Sequence, residues 1–355
     1  MAPQMPAAKS APLIALGSAL LFGASTPFAK LLLGAGLGAF LLAGLLYLGS
    51  GIGLAALSLG RRAVQAEPSE APLRRADLPW LALVVFFGGI AGPVLLMVGL
   101  ATTPASTASL LLNVEGLATM AIAWIVFHES VDRRLLIGAA AILAGAVVLS
   151  WQGETGRLGF GALAILGACL AWGIDNNLTR KLSAADPIEI AMLKGLVAGG
   201  ANLILALAYA DALPAFGPVA LAGVVGFLGY GVSLALFVVS LRHLGAARTG
   251  AYFSTAPFIG AIIAVAMLGE PMTVQLAVAA VLMSVGVYLH LTETHDHSHR
   301  HETLEHEHRH VHDEHHQHAH GAEDPPGEPH SHRHRHAPLA HRHPHYPDLH
   351  HRHVH

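Results

Sequence analysis

Two stretches decide how this chain folds: residues 17–30, GSALLFGASTPFAK, and residues 167–180, GACLAWGIDNNLTR. Laid over each other at an offset of 150, they match Gly17 with Gly167, Phe22 with Trp172, Gly23 with Gly173 and Lys30 with Arg180. A second match, at an offset of 141, carries the run from Ala105 through Glu129 to Gly145 onto the run from Ala246 through Glu270 to Gly286. Internal repetition governs an architecture before any local reading does. The chain is a tandem duplication.

What is duplicated follows from composition. The 355 residues are 53% hydrophobic and 12% charged, with a mean hydropathy of +0.52, which places the chain in a membrane. A bilayer core of about 30 Å needs roughly 20 apolar helical residues, and the polar punctuation cuts the sequence into ten such runs: 11–33, 36–59, 79–101, 105–127, 135–151, 158–181, 187–209, 218–240, 249–268 and 273–291. Long unbroken apolar runs exclude an outer-membrane barrel, whose strands alternate with period two. Residues 1–10 lead straight into the first run without a cleavage-site pattern, so that run is read as a retained span. The expected fold class is all-α integral membrane: a ten-helix bundle of two five-span repeats, 11–151 and 158–291, followed by a disordered tail, 292–355.

Five is odd, so the second copy enters the membrane from the opposite side. Inverted repeats of this kind are a transporter architecture, with solute bound near the midplane between the halves and alternately exposed. With the N-terminus cytoplasmic, loops on that side carry eleven basic residues (Lys9, Arg61, Arg62, Arg74, Arg75, Arg133, Arg134, Arg180, Lys181, Arg242 and Arg248) against Lys30 and Arg157 opposite. This positive-inside bias places both termini in the cytoplasm of a bacterial-type inner membrane.

Each copy closes with a span, a turn bearing His128-Glu129 or Gly269-Glu270, and a final span punctuated by glycine; each opens with an aromatic-Gly pair, Phe22-Gly23 or Trp172-Gly173. In these features the chain resembles the paired EamA domains of the drug/metabolite transporter superfamily over about 280 residues. The resemblance implies a ten-helix bundle with both termini inside, and proton-linked or facilitated passage of small organic solutes, most often efflux. Two departures stand out: Glu115-Gly116, where the second copy keeps the more family-like Ala256-Pro257, and the tail.

An ionisable group at the centre of a span costs about 2.5–3.5 kcal/mol on insertion scales, so it faces protein or a water-filled cavity. Glu115, Asp175 and Lys194 are such groups. Counting the helical rise of 1.5 Å per residue from the span ends puts Asp175 and Lys194 both about 9–10 Å inside the cytoplasmic face, and Glu115 about 18 Å in. A Lys194–Asp175 pair with Glu115 nearby is therefore expected. It would hold substrate or couple transport to proton movement; the plainer reading is an interhelical pair that fixes packing.

Asp175-Asn176-Asn177 sits awkwardly in an apolar helix, and its counterpart, Ser25-Thr26-Pro27, includes a proline that removes a backbone donor. Two symmetry-related weak points suggest broken helices at a binding site, or else polar glue between helices. Trp172 is a candidate wall of the cavity or a packing anchor. Asn113, Tyr252 and Asn202 are weaker candidates, and Glu129 and Glu270 read as caps of the following helices or as gate-rim residues. Pairs such as Gly195 with Gly199 read as close helix contacts.

Other classes fall away. The bundle through Leu289 carries 14 Lys and Arg against 12 Asp and Glu, which offers no basic face for nucleic acid. The single cysteine, Cys169, supports neither a disulfide framework nor a cysteine metal cluster. The sequence shows no catalytic motif and no nucleotide-binding glycine loop, so neither an enzyme nor an ATP-driven pump is expected.

The C-terminal segment from His290 onward is a different object, holding 24 of the 26 histidines. Candidate metal ligands are His295, His297, His299, His301, His306, His308, His310, His312, His315, His316, His318, His320, His330, His332, His334 and His336. Histidine-rich tracts read as metal binding, here of nickel, cobalt, zinc or copper held loosely; no cofactor is required. Protonation near pH 6.5 would also turn the tail from acidic to basic. Three functions stand at this point: an exporter of small organic metabolites or drugs with a metal-binding or metal-sensing tail, a divalent-metal exporter fed by the tail, and a membrane-anchored metal store or sensor. The absence of mid-depth histidine favours the first. The expected partners are a small-molecule substrate, the lipid bilayer and transition-metal ions, with the chain acting as a monomer or homodimer.

Overall fold

The structure, a computed structural model, describes residues 7–64, 75–127, 131–152, 157–179, 186–209 and 215–292, with four tail segments, 296–300, 305–310, 330–335 and 340–344. The first copy comprises α1 (Ala7–Gly34), α2 (Ala39–Val64), α3 (Leu78–Val84), a π-helical turn (Val85–Ala91), α4 (Gly92–Thr102), α5 (Ala105–Leu111), α6 (Val114–Phe127) and α7 (Arg133–Ser150). The second comprises α8 (Phe160–Thr179), α9 (Pro187–Tyr209), α10 (Phe216–Gly226), a second π-helical turn (Phe227–Val232), α11 (Ser233–Phe253), α12 (Ala256–Leu268) and α13 (Val274–Leu291). A two-residue ladder between Trp151–Gln152 (β1) and Arg157–Leu158 (β2) joins them.

Among the described residues, nine helical runs are long and apolar enough to cross a membrane. The tenth, α8, has 20 residues and is tempered by Asp175-Asn176-Asn177 at its end. It lies inside the bundle, packed against α4 and α6. The outer surface is apolar, with Leu20, Ile52, Ile125, Ile204 and Val281 exposed, as a helix surrounded by lipid requires.

The copies exchange partners. Helix α1 packs against α11 and α12, and α8 packs in the equivalent way against α4 and α6; α2 lies along α9, and α7 along α13. Small residues let backbones approach. Gly44 lies against the Gly199 carbonyl and Gly195 against the Gly51 backbone, the close contact expected of Gly195 and Gly199. Ser18 and Ser233 each donate to the other's carbonyl, at 2.7 and 2.9 Å, tying α1 to α11.

Two expectations are corrected. The first and sixth spans are not broken: α1 runs through Pro27 and α8 through Asn177. In α8 the short polar side chains find partners, including Asn177 Nδ2 to the Gly173 carbonyl one turn back, so they do not displace the helix. The breaks fall instead at Leu112–Asn113 and Ser254–Thr255, which overlap at the offset of 141, Asn113 on Ser254. The connection expected at about 241–248 is helical, part of α11, because the second copy has Gly245 where Pro104 ends the helix in the first. In the tail, the described segments lie in two short antiparallel ladders. Asp296–Arg300 (β3) pairs antiparallel with Ala340–Pro344 (β6), and Glu305–His310 (β4) with His330–Arg335 (β5), setting His306 opposite His334 and His308 opposite His332. Alternation of histidine with charge has the period of a strand, and a ladder needs only backbone partners. Of the candidate ligands, His295, His301, His312, His315, His316, His318, His320 and His336 lie outside the described residues.

Candidate functional site

The intramembrane charges meet. Lys194 Nζ, from α9, lies 2.7 Å from Asp175 Oδ2, from α8, with side chains 21% and 5% exposed. Thr179 Oγ1, one turn on, donates to Asp175 Oδ1 at 3.4 Å. Asn176 Nδ2 donates to Glu115 Oε1 at 3.0 Å and to Thr119 Oγ1 at 3.1 Å, and Asn177 Nδ2 to the Thr119 carbonyl at 3.0 Å. The polar triplet therefore zips α8 to α6, and Glu115 sits in the first turn of α6 because the break at Asn113 restarts the helix there.

The third span supplies the opposite wall. A π turn admits one extra residue and is common at functional sites. Here its carbonyls are held by donors from three helices: Tyr47 Oη and Trp172 Nε1 both donate to the Gly88 carbonyl, at 2.6 and 3.0 Å, and Asn202 Nδ2 donates to the Gly89 carbonyl at 3.0 Å. A side chain at Gly88 would collide with the Asp175 carboxylate, so only glycine lets the turn lie flat against the charge. Tyr47 stands 5.7 Å from the Tyr230 ring, and Tyr230 stands 5.8 Å from Phe22, extending the wall with aromatic surface.

Of the residues expected at a site, the structure brings together Lys194, Asp175, Glu115, Asn176, Asn177 and Trp172. It does not bring the others to them. Ser25, buried, donates to the Phe22 carbonyl and lies against Gly229 of the second π turn. Thr26 is buried in α1. Asn113 Nδ2 donates to the Leu110 carbonyl at the break between α5 and α6, and Tyr252 lies in the last turn of α11, where its carbonyl accepts from Thr255 Oγ1. Tyr47, Thr119, Gly88 and Tyr230 went unremarked in sequence reading. The paired glycines Gly88-Gly89 inside an apolar run, with Gly229 at the same offset of 141, were the available signal.

For Glu270, one of the two expected roles, the cap of the following helix, is corrected. Glu270 caps no helix that follows it; Thr273 does that, accepting from Leu276 N at 3.1 Å. Its carboxylate accepts from Ala105 N at 2.6 Å and Ser106 N at 2.8 Å, at the start of α5 in the other copy. Glu129 lies outside the described residues. Among the described residues no three His, Cys, Asp or Glu side chains are placed to hold a metal ion.

Chemically, the cluster offers a cation and two carboxylates within one hydrogen-bonded unit, backed by amides and aromatic rings. Such a set can complement a substrate carrying both signs of charge, or exchange partners as one carboxylate takes up a proton.

The comparisons with known proteins agree with the architecture. An uncharacterized transporter of Methanothermobacter thermautotrophicus is 31% identical over 62% of this chain and 66% of its own length. A probable amino-acid metabolite efflux pump of Salmonella typhimurium is 30% identical over 52% of this chain and 67% of its own. A probable terminal-alkyne amino-acid exporter of Streptantibioticus cattleyicolor is 29% identical over 62% and 78%. The chain thus spans about two thirds of the length of the first two relatives. A solved crystal structure superposes with a TM-score of 0.58 at 20% identity, covering 79% of this chain and 95% of the other, and so shares the fold. The EamA-like transporter family matches twice, at residues 9–151 and 159–292, on the two copies that the repeat defines: the chain belongs to that family of membrane transporters, which are not enzymes.

Proposed function

We propose that this chain is a secondary exporter of small organic metabolites, and that its substrates are zwitterions of the amino-acid kind. The observation that carries the reading is the Lys194–Asp175 pair joined through Asn176 to Glu115. Lys194 would take the substrate carboxylate as it leaves Asp175, and Asp175 or Glu115 the ammonium or a proton, linking export to the proton gradient. The printed names of two relatives, both concerning amino-acid export, support the substrate class. The reading places the chain in the cytoplasmic membrane with both termini inside. The tail would bind nickel, cobalt, zinc or copper through its histidines and act as a cytoplasmic sensor or buffer.

The test is counterflow of labelled amino acids into proteoliposomes carrying the full chain or Lys194→Ala. Saturable counterflow that the substitution removes is expected; no counterflow of any amino acid would overturn the substrate class. Cellular nickel, cobalt, zinc and copper, measured with the full chain, Lys194→Ala and a truncation after Leu291, tests the tail. A rise that needs only the tail is expected, whereas a fall lost in both variants would make metal the cargo.

A further inference from the structure

At the end of the bundle away from the termini, a crevice of about 590 Å³ is lined by Lys30, Leu31, Gly34, Ala35, Leu268 and Glu270. Its two charged groups are already engaged, and with one segment. Lys30 Nζ donates to the carbonyls of Leu100, Ala101 and Thr103, at 2.6, 3.2 and 3.0 Å. The Glu270 carboxylate accepts from the amides of Ala105 and Ser106. Between these anchors lies the Thr103–Pro104 turn, where α4 ends and α5 begins.

Pro104 makes this turn necessary and leaves it unsatisfied: α4 ends with free carbonyls and α5 begins with free amides. These groups need partners beyond their own helices. The missing partners come from elements of different parentage, Lys30 from α1 and Glu270 from the turn after α12, which Gly269 enters at a left-handed φ of 65°. The segment they hold is mechanically continuous with the site, because α4 follows the π turn that presses on Asp175, and α5 leads to the break that positions Glu115.

We propose that Lys30 and Glu270 form the lock of a gate at this end of the bundle, clamping the hairpin of the third and fourth spans shut. The gate opens when the hairpin's backbone groups let go of both side chains. The lock rests on the alternating-access reading above, but its position is tested without reference to any substrate. At the other end the site is accessible: Asn176 is exposed and Lys194 partly so. The structure is thus one closed at the lock and open toward the termini.

The test places a reporter just inside the lock. Ser109 is 1% exposed, one turn beyond Ser106 in α5, and Cys169, the single native cysteine, is buried and is replaced by alanine. Ser109→Cys in that background is treated with a membrane-impermeant maleimide from each face of sealed vesicles. Glu270→Ala removes two charge-assisted hydrogen bonds, each worth upward of about tenfold in an equilibrium, so labelling from the face opposite the termini is expected to rise at least about tenfold. Lys30→Met is expected to act in the same direction, and Glu270→Gln, which keeps an acceptor and its volume, more weakly. Unchanged labelling in all three, or an equal rise from both faces, would overturn the lock. If the alanine variant fails to reach the membrane, the glutamine variant decides by the same reading. Failure of amino-acid counterflow with altered labelling would leave the lock standing and remove only the substrate class.

Discussion

The two copies carry the same device with opposite chemistry. In each, the third span contains a π turn, Val85–Ala91 or Phe227–Val232, and in each a glycine of that turn meets a polar residue from the first span of the other copy. In one instance the pair is Gly88 with Asp175; in the other it is Gly229 with Ser25. Asp175 has an ion partner, whereas Ser25 bonds only neutral groups among the described residues, the Phe22 carbonyl of its own helix and the Tyr230 side chain. The fourth spans differ likewise, since Glu115 stands where the second copy has Ala256. Symmetry therefore builds the scaffold, and departures from it place the charge on one side.

The sharpest way to break this comparison is to remove the cation. Lys194→Met leaves Asp175 without its counter-charge, and stripping one partner from a buried pair costs about 3–5 kcal/mol. The thermal midpoint of purified protein is expected to fall and transport to vanish. Adding Asp175→Leu should recover the stability and not the transport; recovery of both would reduce the pair to packing.

A second measurement sets the glycines against each other. Gly88→Ala drives a methyl into the Asp175 carboxylate, and overpacking of this kind costs about 1–3 kcal/mol. Gly229→Ala meets only the Ser25 side chain and one carbonyl, so its loss should be smaller in both melting and transport assays. Equal losses would show that sterics alone, and not the charge, distinguish the copies.

Glu115→Gln keeps an acceptor for Asn176 and removes the charge. Transport is expected to fall about tenfold, the scale of one charged hydrogen bond, with the melting temperature nearly unchanged. Unaltered transport would confine the functional charge to Asp175 and Lys194. The smallest effect is expected from Ser25→Ala, which removes only neutral hydrogen bonds, each a matter of about 1 kcal/mol or less; a transport defect there would make the neutral side part of the site.

Much of this was legible in the chain itself. The spans follow from apolar run length, the inversion from an odd repeat, and the Lys194–Asp175 contact from depth counted back from the face at which the sixth span ends and the seventh begins. The breaks were misplaced because proline and asparagine were read as local events. Pro27 is accommodated in α1, and Asn177 Nδ2 donates to the carbonyls of Thr119 and Gly173, the first a partner that only packing supplies. The π turns left no polar mark, since two glycines in an apolar run look like small-residue packing until the donors of Tyr47, Trp172 and Asn202 converge on their carbonyls. Glu270 was tied to its neighbours in sequence because its partners at Ala105 and Ser106 lie some 165 residues away.

The exchange of partners between the copies has a consequence for the order in which the chain is made. The first five spans leave the ribosome with the inner faces of α1, α2 and α7 turned toward helices that do not yet exist. Those faces must wait in lipid while the second half is synthesised, α1 for α11 and α12 and α7 for α13, and the Thr103–Pro104 turn waits for Glu270, which arrives only after the ninth span. Assembly of this molecule is therefore a late event, completed near the end of translation, and a chain stopped after its first repeat holds only half of the interfaces α1 forms with α11 and α12, α2 with α9 and α7 with α13.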